Sequence, residues 1–293
     1  MKAKVYFSKI ITGEKVLELI RLLNKELPKP LAIKLHSGER GNQNFIKPEF
    51  WKPVIDEMKG TVVECNTAYD GGRNTDIKHL ELIKDHGWDR YFDFDLMDIN
   101  GSEMVLDIQN GQRIKKNYVG GHMKNYKSML VLSHFKGHPM GGYGGALKQL
   151  SIGCASSKGK AYIHSGGRTT SQILCWLSTA TQDKFLEGMA DAASVVNKMF
   201  EGNVAYINVM ANMSVDCDCC AVAEDPCMKD IGMLASIDPV AVDQACVDLI
   251  YAAKDDPGQK HLLERIESRH GVHTIEAAEA LGIGSRKYEL IEF

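Results

Sequence analysis

Along this chain, short apolar runs rich in β-branched residues alternate with longer segments whose apolar residues recur at three and four positions, a pattern that admits little besides an α/β fold. KVYFS, LAIKLH and GTVVECN read as the first three strands. Between them GEKVLELIRLLNKEL puts Val16, Leu17, Ile20, Leu23 and Leu27 near one face of a helix. PEFWKPVIDEMK gives a second helix, which Pro53 should shorten or bend. TDIKHLELIKDHG predicts a third, capped by Thr75 and stopped by Gly87.

Residues 91–125 alternate apolar and polar side chains around NG dipeptides, the signal of antiparallel hairpins extending an edge of the sheet. The alternation then resumes. SMLVLSHF, KAYIH and VAYINVM read as strands; TQDKFLEGMADAASVVNKMF, DPVAVDQACVDLIYAA and GQKHLLERIESRHG read as helices, with Pro239 in a first turn behind Asp238. The expected class is therefore α/β, a mixed but mainly parallel sheet flanked by helices. A chain of 293 residues, 44% of them hydrophobic, buries a substantial core. No fixed-period repeat, low-complexity tract or Pro/Ser linker marks a hinge, so one continuous domain over residues 1–293 is expected.

Charge and cysteine usage narrow the function classes. A net charge of −3 and no Lys/Arg block longer than RIKK provide no footprint for a polynucleotide. No apolar run approaches the roughly 20 residues that span a bilayer. Eight cysteines are too dilute for a disulfide-knotted scaffold, and MKAKVYFSKIITGEKV lacks the apolar centre of a signal peptide. A cytoplasmic protein with reduced thiols is the expectation.

Polar residues collect where the predicted strands end, the edge at which open α/β sheets bind ligands. LAIKLH delivers His36 with Glu39 behind it, TVVECN delivers Cys65 and Asn66, LVLSHFKGH delivers His134, Lys136 and His138, and AYIH delivers His164. VAYINVM leads into SVDCDCCAVAEDPC, with Cys217, Cys219, Cys220 and Cys227. That spacing matches neither a ferredoxin run nor a paired zinc knuckle, yet it can still collect thiolates round a soft metal. A redox-labile or purely structural thiol loop is the alternative reading. In HFKGHPMGGYGGALKQ, Gly141, Gly142, Gly144 and Gly145 precede a helix start and resemble a generic anion cradle, with tight packing as the alternative. Neither a P-loop nor a dinucleotide fingerprint is present, so no nucleotide is implied. Cys154, Cys175 and Cys246 lie in apolar or helical surroundings and read as small core residues.

KLHSGE, VVECNTAYDGGR, LSHFKGHPMGGYGGALKQLSIGCASSKGK, MSVDCDCC and DIGMLASIDPVAVDQACVDLI, in that order, resemble the iron-sulfur center proteins classed as domain-of-unknown-function family 362. The resemblance covers nearly the whole chain and carries no established reaction. Larger members are similar on both sides of AYIH but hold a ferredoxin-like insert there, near residue 165, where this chain has SGGRTTSQILCWLSTATQ. The resemblance thus implies a short form whose cluster, if any, must use CDCC and its neighbours. The glycine-rich edge also offers an analogy with nickel-dependent lactate racemases.

The leading expectation is a metal-dependent or redox enzyme with its site at the C-terminal edge of the sheet, carrying a metal ion or iron-sulfur cluster. Cys217, Cys219, Cys220, Cys227 and His134 are its candidate ligands; His138, Lys136 and His164 are its candidate catalytic groups; Gly141, Gly142, Gly144 and Gly145 would hold a small anionic substrate. One rival is a non-catalytic metal- or anion-binding protein, or the partner of a separate ferredoxin. Another is a metal-free enzyme that acts on a small anion through Lys136, His138 and the glycine loop.

Overall fold

A computed structural model of the chain describes residues 2–293. The strands in its first half are β1 (Ala3–Ser8), β2 (Leu31–Lys34), β3 (Thr61–Glu64), β4 (Phe94–Leu96), β5 (Glu103–Asp107) and β6 (Lys116–Gly120). The second half adds β7 (Ser128–His134), β8 (Lys136–His138), β9 (Gly142–Gly144), β10 (Val204–Met210), β11 (Gly232–Ser236) and β12 (Tyr288–Glu292). The helices are α1 (Gly13–Leu22), α2 (Pro48–Met58), α3 (Asp76–Asp85), the single turn α4 (Ala146–Lys148), α5 (Ser157–His164), α6 (Leu174–Leu177), α7 (Gln182–Met199), α8 (Pro239–Ala252), α9 (Gln259–Ser268) and α10 (Val272–Ala280).

One eight-stranded sheet runs in the order β12, β1, β11, β10, β7, β2, β3, β4. Its pairings are parallel except those that β11 makes with β1 and β10. The class is thus α/β with a mixed, mainly parallel sheet. Successive strand residues face opposite layers, as the period of two requires. Ala32, Val63, Met129 and Val131 pack into one core with Ala193, Val196 and Val247 from α7 and α8. Ile33, Val62, Leu130 and Leu132 pack into the other with Val16, Leu19, Trp51 and Val54 from α1 and α2. Burial on both faces is why these strands read as continuous apolar runs, each buried aliphatic contributing about 1.5–3 kcal/mol.

The connections place the site. From β2 the chain steps outward through β3 to β4, whereas from β7 it steps the other way to β10. The boundary between β2 and β7 is therefore the point at which strand order reverses, where the loops leaving neighbouring strands part and open a crevice.

Local signals act as their chemistry predicts. Thr75 accepts from the Lys78 amide, Gly87 takes the left-handed conformation after α3, and Asp238 accepts from the amides of Val240 and Ala241. Elsewhere the structure differs. α2 runs through Pro53 to Met58, so the proline removes only its own bond to the carbonyl four residues back. KAYIH is not a strand: with Ser156 accepting from the Gly159 amide, it forms the body of α5. Within 91–125 only β5 and β6 form an antiparallel pair, in a separate two-stranded sheet, while β4 joins the main sheet parallel to β3. β11 and β12 had no strand assignment in the sequence. Among the described residues, no helix is long and apolar enough to cross a membrane.

Candidate functional site

The connection from β10 to β11 carries the thiols. Cys217 to Cys220 form a turn closed by the Cys220 amide donating to the Cys217 carbonyl at 2.9 Å. The loop after β2 pins it, the Glu39 amide donating to the Asp218 carbonyl at 2.8 Å and Asn42 Nδ2 to the Cys220 carbonyl at 2.8 Å. Asp218 anchors the turn to β7 and β8 through His134 Nδ1 at 3.0 Å and Lys136 Nζ at 2.5 Å. Burial opposes its charge, but His134 and Lys136 hold this carboxyl well below the usual carboxylate range. The other ring nitrogen of His134 faces the Ala211 carbonyl at 2.6 Å, so both are occupied. His134 and Lys136 thus stand behind the thiols as their anchor.

Three donor atoms converge in front of that anchor. His138 Nε2, Cys217 Sγ and Cys219 Sγ lie within 4.8 Å of one another, a group that can hold a metal ion. Cys219 Sγ is 3.6 Å from His138 Nε2, the Cys219 amide donates to Cys217 Sγ at 3.4 Å, and Lys148 Nζ lies 3.6 Å from Cys217 Sγ. Burial disfavours a thiolate at Cys217, yet the Cys219 hydrogen bond and the charges of Lys148 and Lys136 hold it well below the usual thiol range. Cys219 moves the opposite way, its thiol kept protonated by its hydrogen bonds to Cys217 and Cys220 and by burial. Burial and the nearby Lys148 lower His138, which leaves it neutral. Cys220 borders the cleft described below without joining the group of three. Cys227 lies outside that group as well, its thiol donating to the Met213 carbonyl at 3.5 Å.

The glycine segment orients His138 and packs the backbone closely. The amides of Gly141 and Met140 donate to His138 Nδ1 at 2.8 and 3.1 Å. Gly142 to Gly144 are β9, paired antiparallel with β8. At the helix start beyond, the amides of Ala146 and Leu147 donate to the Asp243 carboxylate of α8 at 2.8 and 3.0 Å. A Cβ on Gly145 would sit 2.5 Å from Asp243 Oδ1. The anion at this helix start therefore comes from the chain itself.

A cleft of about 460 Å³ opens at the C-terminal ends of β2 and β3 and reaches His138, Cys219 and Cys220. His36 and Cys65 line it, as their neighbouring strands dictate. Asn66 turns away to Asp76 at 2.6 Å, and Glu39 accepts from Arg73 Nε at 3.2 Å. His164 also lines the cleft, delivered by the end of α5 rather than by a strand. Its ring stacks on Phe185 at 4.8 Å and leans on Trp176 at 5.0 Å. Burial, reinforced by His138, Lys148 and Lys160, lowers it to about 3.

Four cationic side chains line the same space: Lys34, Arg73, Lys148 and Lys160. Arg73 is matched by Glu39 and by Glu64 at 3.6 Å. Burial lowers both Lys34 and Lys160, whereas the thiols of Cys217 and Cys219 raise Lys148 against its own burial. Lys34, Arg73 and Lys160 carried no signal as site residues in the sequence. A lysine inside the short apolar strand LAIK was the one available hint, since both faces of a central strand are covered.

A family model described as "Domain of unknown function (DUF362)" matches residues 31–248. No curated protein matches the chain. Among solved structures, the lactate racemase apoprotein from Thermoanaerobacterium thermosaccharolyticum is similar over 70% of this chain and 50% of its own, at 12% identity and a TM-score of 0.39. A protein from Thermotoga maritima is similar over 92% of this chain and 59% of its own, at 12% identity and a TM-score of 0.40. This chain thus spans between half and three fifths of those two proteins, and neither likeness is close enough to carry a function across.

Proposed function

The chain belongs to the DUF362 family, and from that premise we propose that it is a metal-dependent enzyme whose cleft receives a small anion beside an ion held by His138, Cys217 and Cys219. The convergence of those three donors carries the reading. Two sulfurs and one imidazole suit a soft or borderline divalent ion, zinc above all, and three protein ligands leave a fourth position for water or substrate. In a tetrahedron with ordinary zinc–sulfur and zinc–nitrogen bonds, the sulfur and nitrogen lie about 3.6 Å apart. Cys219 Sγ and His138 Nε2 are 3.6 Å apart. Cys217 already favours its thiolate and His138 its neutral form, whereas Cys219, kept protonated in the protein alone, would release its proton as the ion binds. Bound there, the ion would act as a Lewis acid toward an oxygen of the substrate.

The chain's own groups would do the rest. Lys148 compensates the Cys217 thiolate, Asp218 holds the turn rigid through His134 and Lys136, and the cations of the cleft attract the anion. An iron-sulfur cluster fits less well, because the group gathers two thiols where a cluster takes four protein ligands.

One observation favours a second reading. His138 Nδ1 accepts two backbone N–H groups, which leaves the proton of the neutral ring on Nε2, aimed at Cys219. Metal-ligating histidines ordinarily donate from their second nitrogen. In a metal-free site that Nε2–H would instead hydrogen-bond sulfur, and Cys217 would serve the anion as a thiolate.

Elemental analysis of protein purified without oxygen or added metal separates the two. About one equivalent of zinc, lost in the C217S/C219S double variant, supports the metal reading. Protein without metal, but with a thiolate absorbance that disappears in C217S, supports the second. Iron with inorganic sulfide would overturn both.

A further inference from the structure

We propose, resting on the reading of this cleft as the substrate site, that its ligand is an organic carboxylate with a planar apolar body, the carboxylate toward Lys34, Lys148 and Lys160 and the body beside His164 and Trp176. The first observation is a set of lysines that no carboxylate meets at ion-pair distance: Lys148 faces the Cys217 sulfur, while Glu64 acts on Lys34 and Asp98 on Lys160 from farther off. Lys34, Lys148 and Lys160 are each in the wall of the cleft, and among the described residues none forms an ion pair with a carboxylate. Lys34 donates to Gln149 Oε1 at 2.9 Å and to the Leu35 carbonyl; Lys160 donates to the carbonyls of Ala155 at 2.6 Å and Cys65 at 3.4 Å. Lys148 reaches only the Cys217 sulfur. An ammonium carries three donors, so each lysine keeps at least one to spare. A buried charge without a direct partner is costly, and an incoming carboxylate would relieve that cost at Lys34 and Lys160 while taking up a spare donor of Lys148.

The second observation is independent of charge. The same cleft has a wall of Met140, Ile152, Trp176 and Phe185, and His164 is in contact with both aromatic rings. His164 is 8% exposed, and its Nδ1 has no hydrogen-bond partner within the protein. Buried polar atoms are rarely left unpaired, and this ring holds one in the wall of the cleft. Flat rings stack on such a surface, whereas a compact inorganic anion would leave the aromatic wall uncovered. A volume of about 460 Å³ admits a ligand of that size.

The test uses wild-type protein and three simple probes: benzoate, its neutral isostere benzamide, and acetate. Trp176 reports binding, because Trp51 and Trp88 are buried away from the cleft. Benzoate should bind about tenfold or more tightly than either benzamide or acetate, and the K148M variant should lose that advantage over benzamide while binding benzamide as before. Equal affinity for benzamide would remove the carboxylate from the proposal, and equal affinity for acetate would remove the apolar body; either outcome overturns it. The wild-type ranking decides even if K148M does not fold. Repeating the ranking on metal-stripped protein separates this inference from the metal reading: a ranking that survives there stands on the cleft alone, and a missing ranking in protein that retains one equivalent of metal sinks the ligand class without touching the metal.

Discussion

Lys148 Nζ lies 3.6 Å from Cys217 Sγ, a half-buried cation set against a thiol that favours its charged form. The contact joins the helical turn after β9 to the loop after β10, and it sets the charge of the site before any ligand arrives.

Removing that cation should return Cys217 toward an ordinary thiol. In the metal-free protein, K148M is expected to raise its apparent pKa, because one of the charges that favour the thiolate is gone. Thiolate absorbance followed against pH checks this, with C217S to assign the signal. An unchanged titration would mean that the backbone and Cys219, not Lys148, hold the thiolate.

Asp218 should matter through the fold more than through chemistry. D218N leaves Lys136 and His134 buried without their carboxylate, and breaking such a pair costs about 3–5 kcal/mol. Urea unfolding measures the loss. Adding K136M to D218N should recover part of it, whereas additive losses would contradict the coupling.

His164 should make the protein acid-sensitive in a defined window. Its folded value is about 3 against an ordinary 6.5, so between those limits the unfolded chain binds the extra proton. Stability from this site is complete above about 6.5 and falls as the pH drops toward 3, by at most about 1.4 kcal/mol per unit. H164F, which keeps the stack on Phe185, should lose less stability than wild type between neutral and acidic pH. Parallel denaturation curves for the two proteins at each pH would contradict this.

G145A should destabilise the segment between β9 and α4. The new methyl carbon would lie 2.5 Å from Asp243 Oδ1 and displace the carboxylate that accepts from Ala146 and Leu147. Overpacking of this kind costs about 1–3 kcal/mol. A G145A protein as stable as wild type in urea would show that Asp243 can retreat freely.

What was legible in the sequence followed from local chemistry. The strands at LAIK and MLVLSH, the Thr75 and Asp238 caps and the placement of the thiol segment beyond VAYINVM all rest on short-range signals. The misreading of AYIH shows the limit, since a short apolar run has no period long enough to separate strand from helix, and only the Ser156 cap decides. The lysines of the cleft were hidden for another reason. Lys160 lies on a helix that exposes some of its polar residues, and its burial depends on contacts with residues such as Cys65 that lie far away in sequence. The same holds for Asp243, whose role at the start of α4 requires α8 to pack there.

X-ray absorption at the metal edge of protein purified anaerobically tests the central claim most directly. The account predicts one bound ion with two sulfur ligands at about 2.3 Å and one imidazole nitrogen at about 2.0–2.1 Å, the fourth position taken by oxygen. Protein that holds no metal under those conditions, or an ion surrounded by four sulfurs, would contradict it.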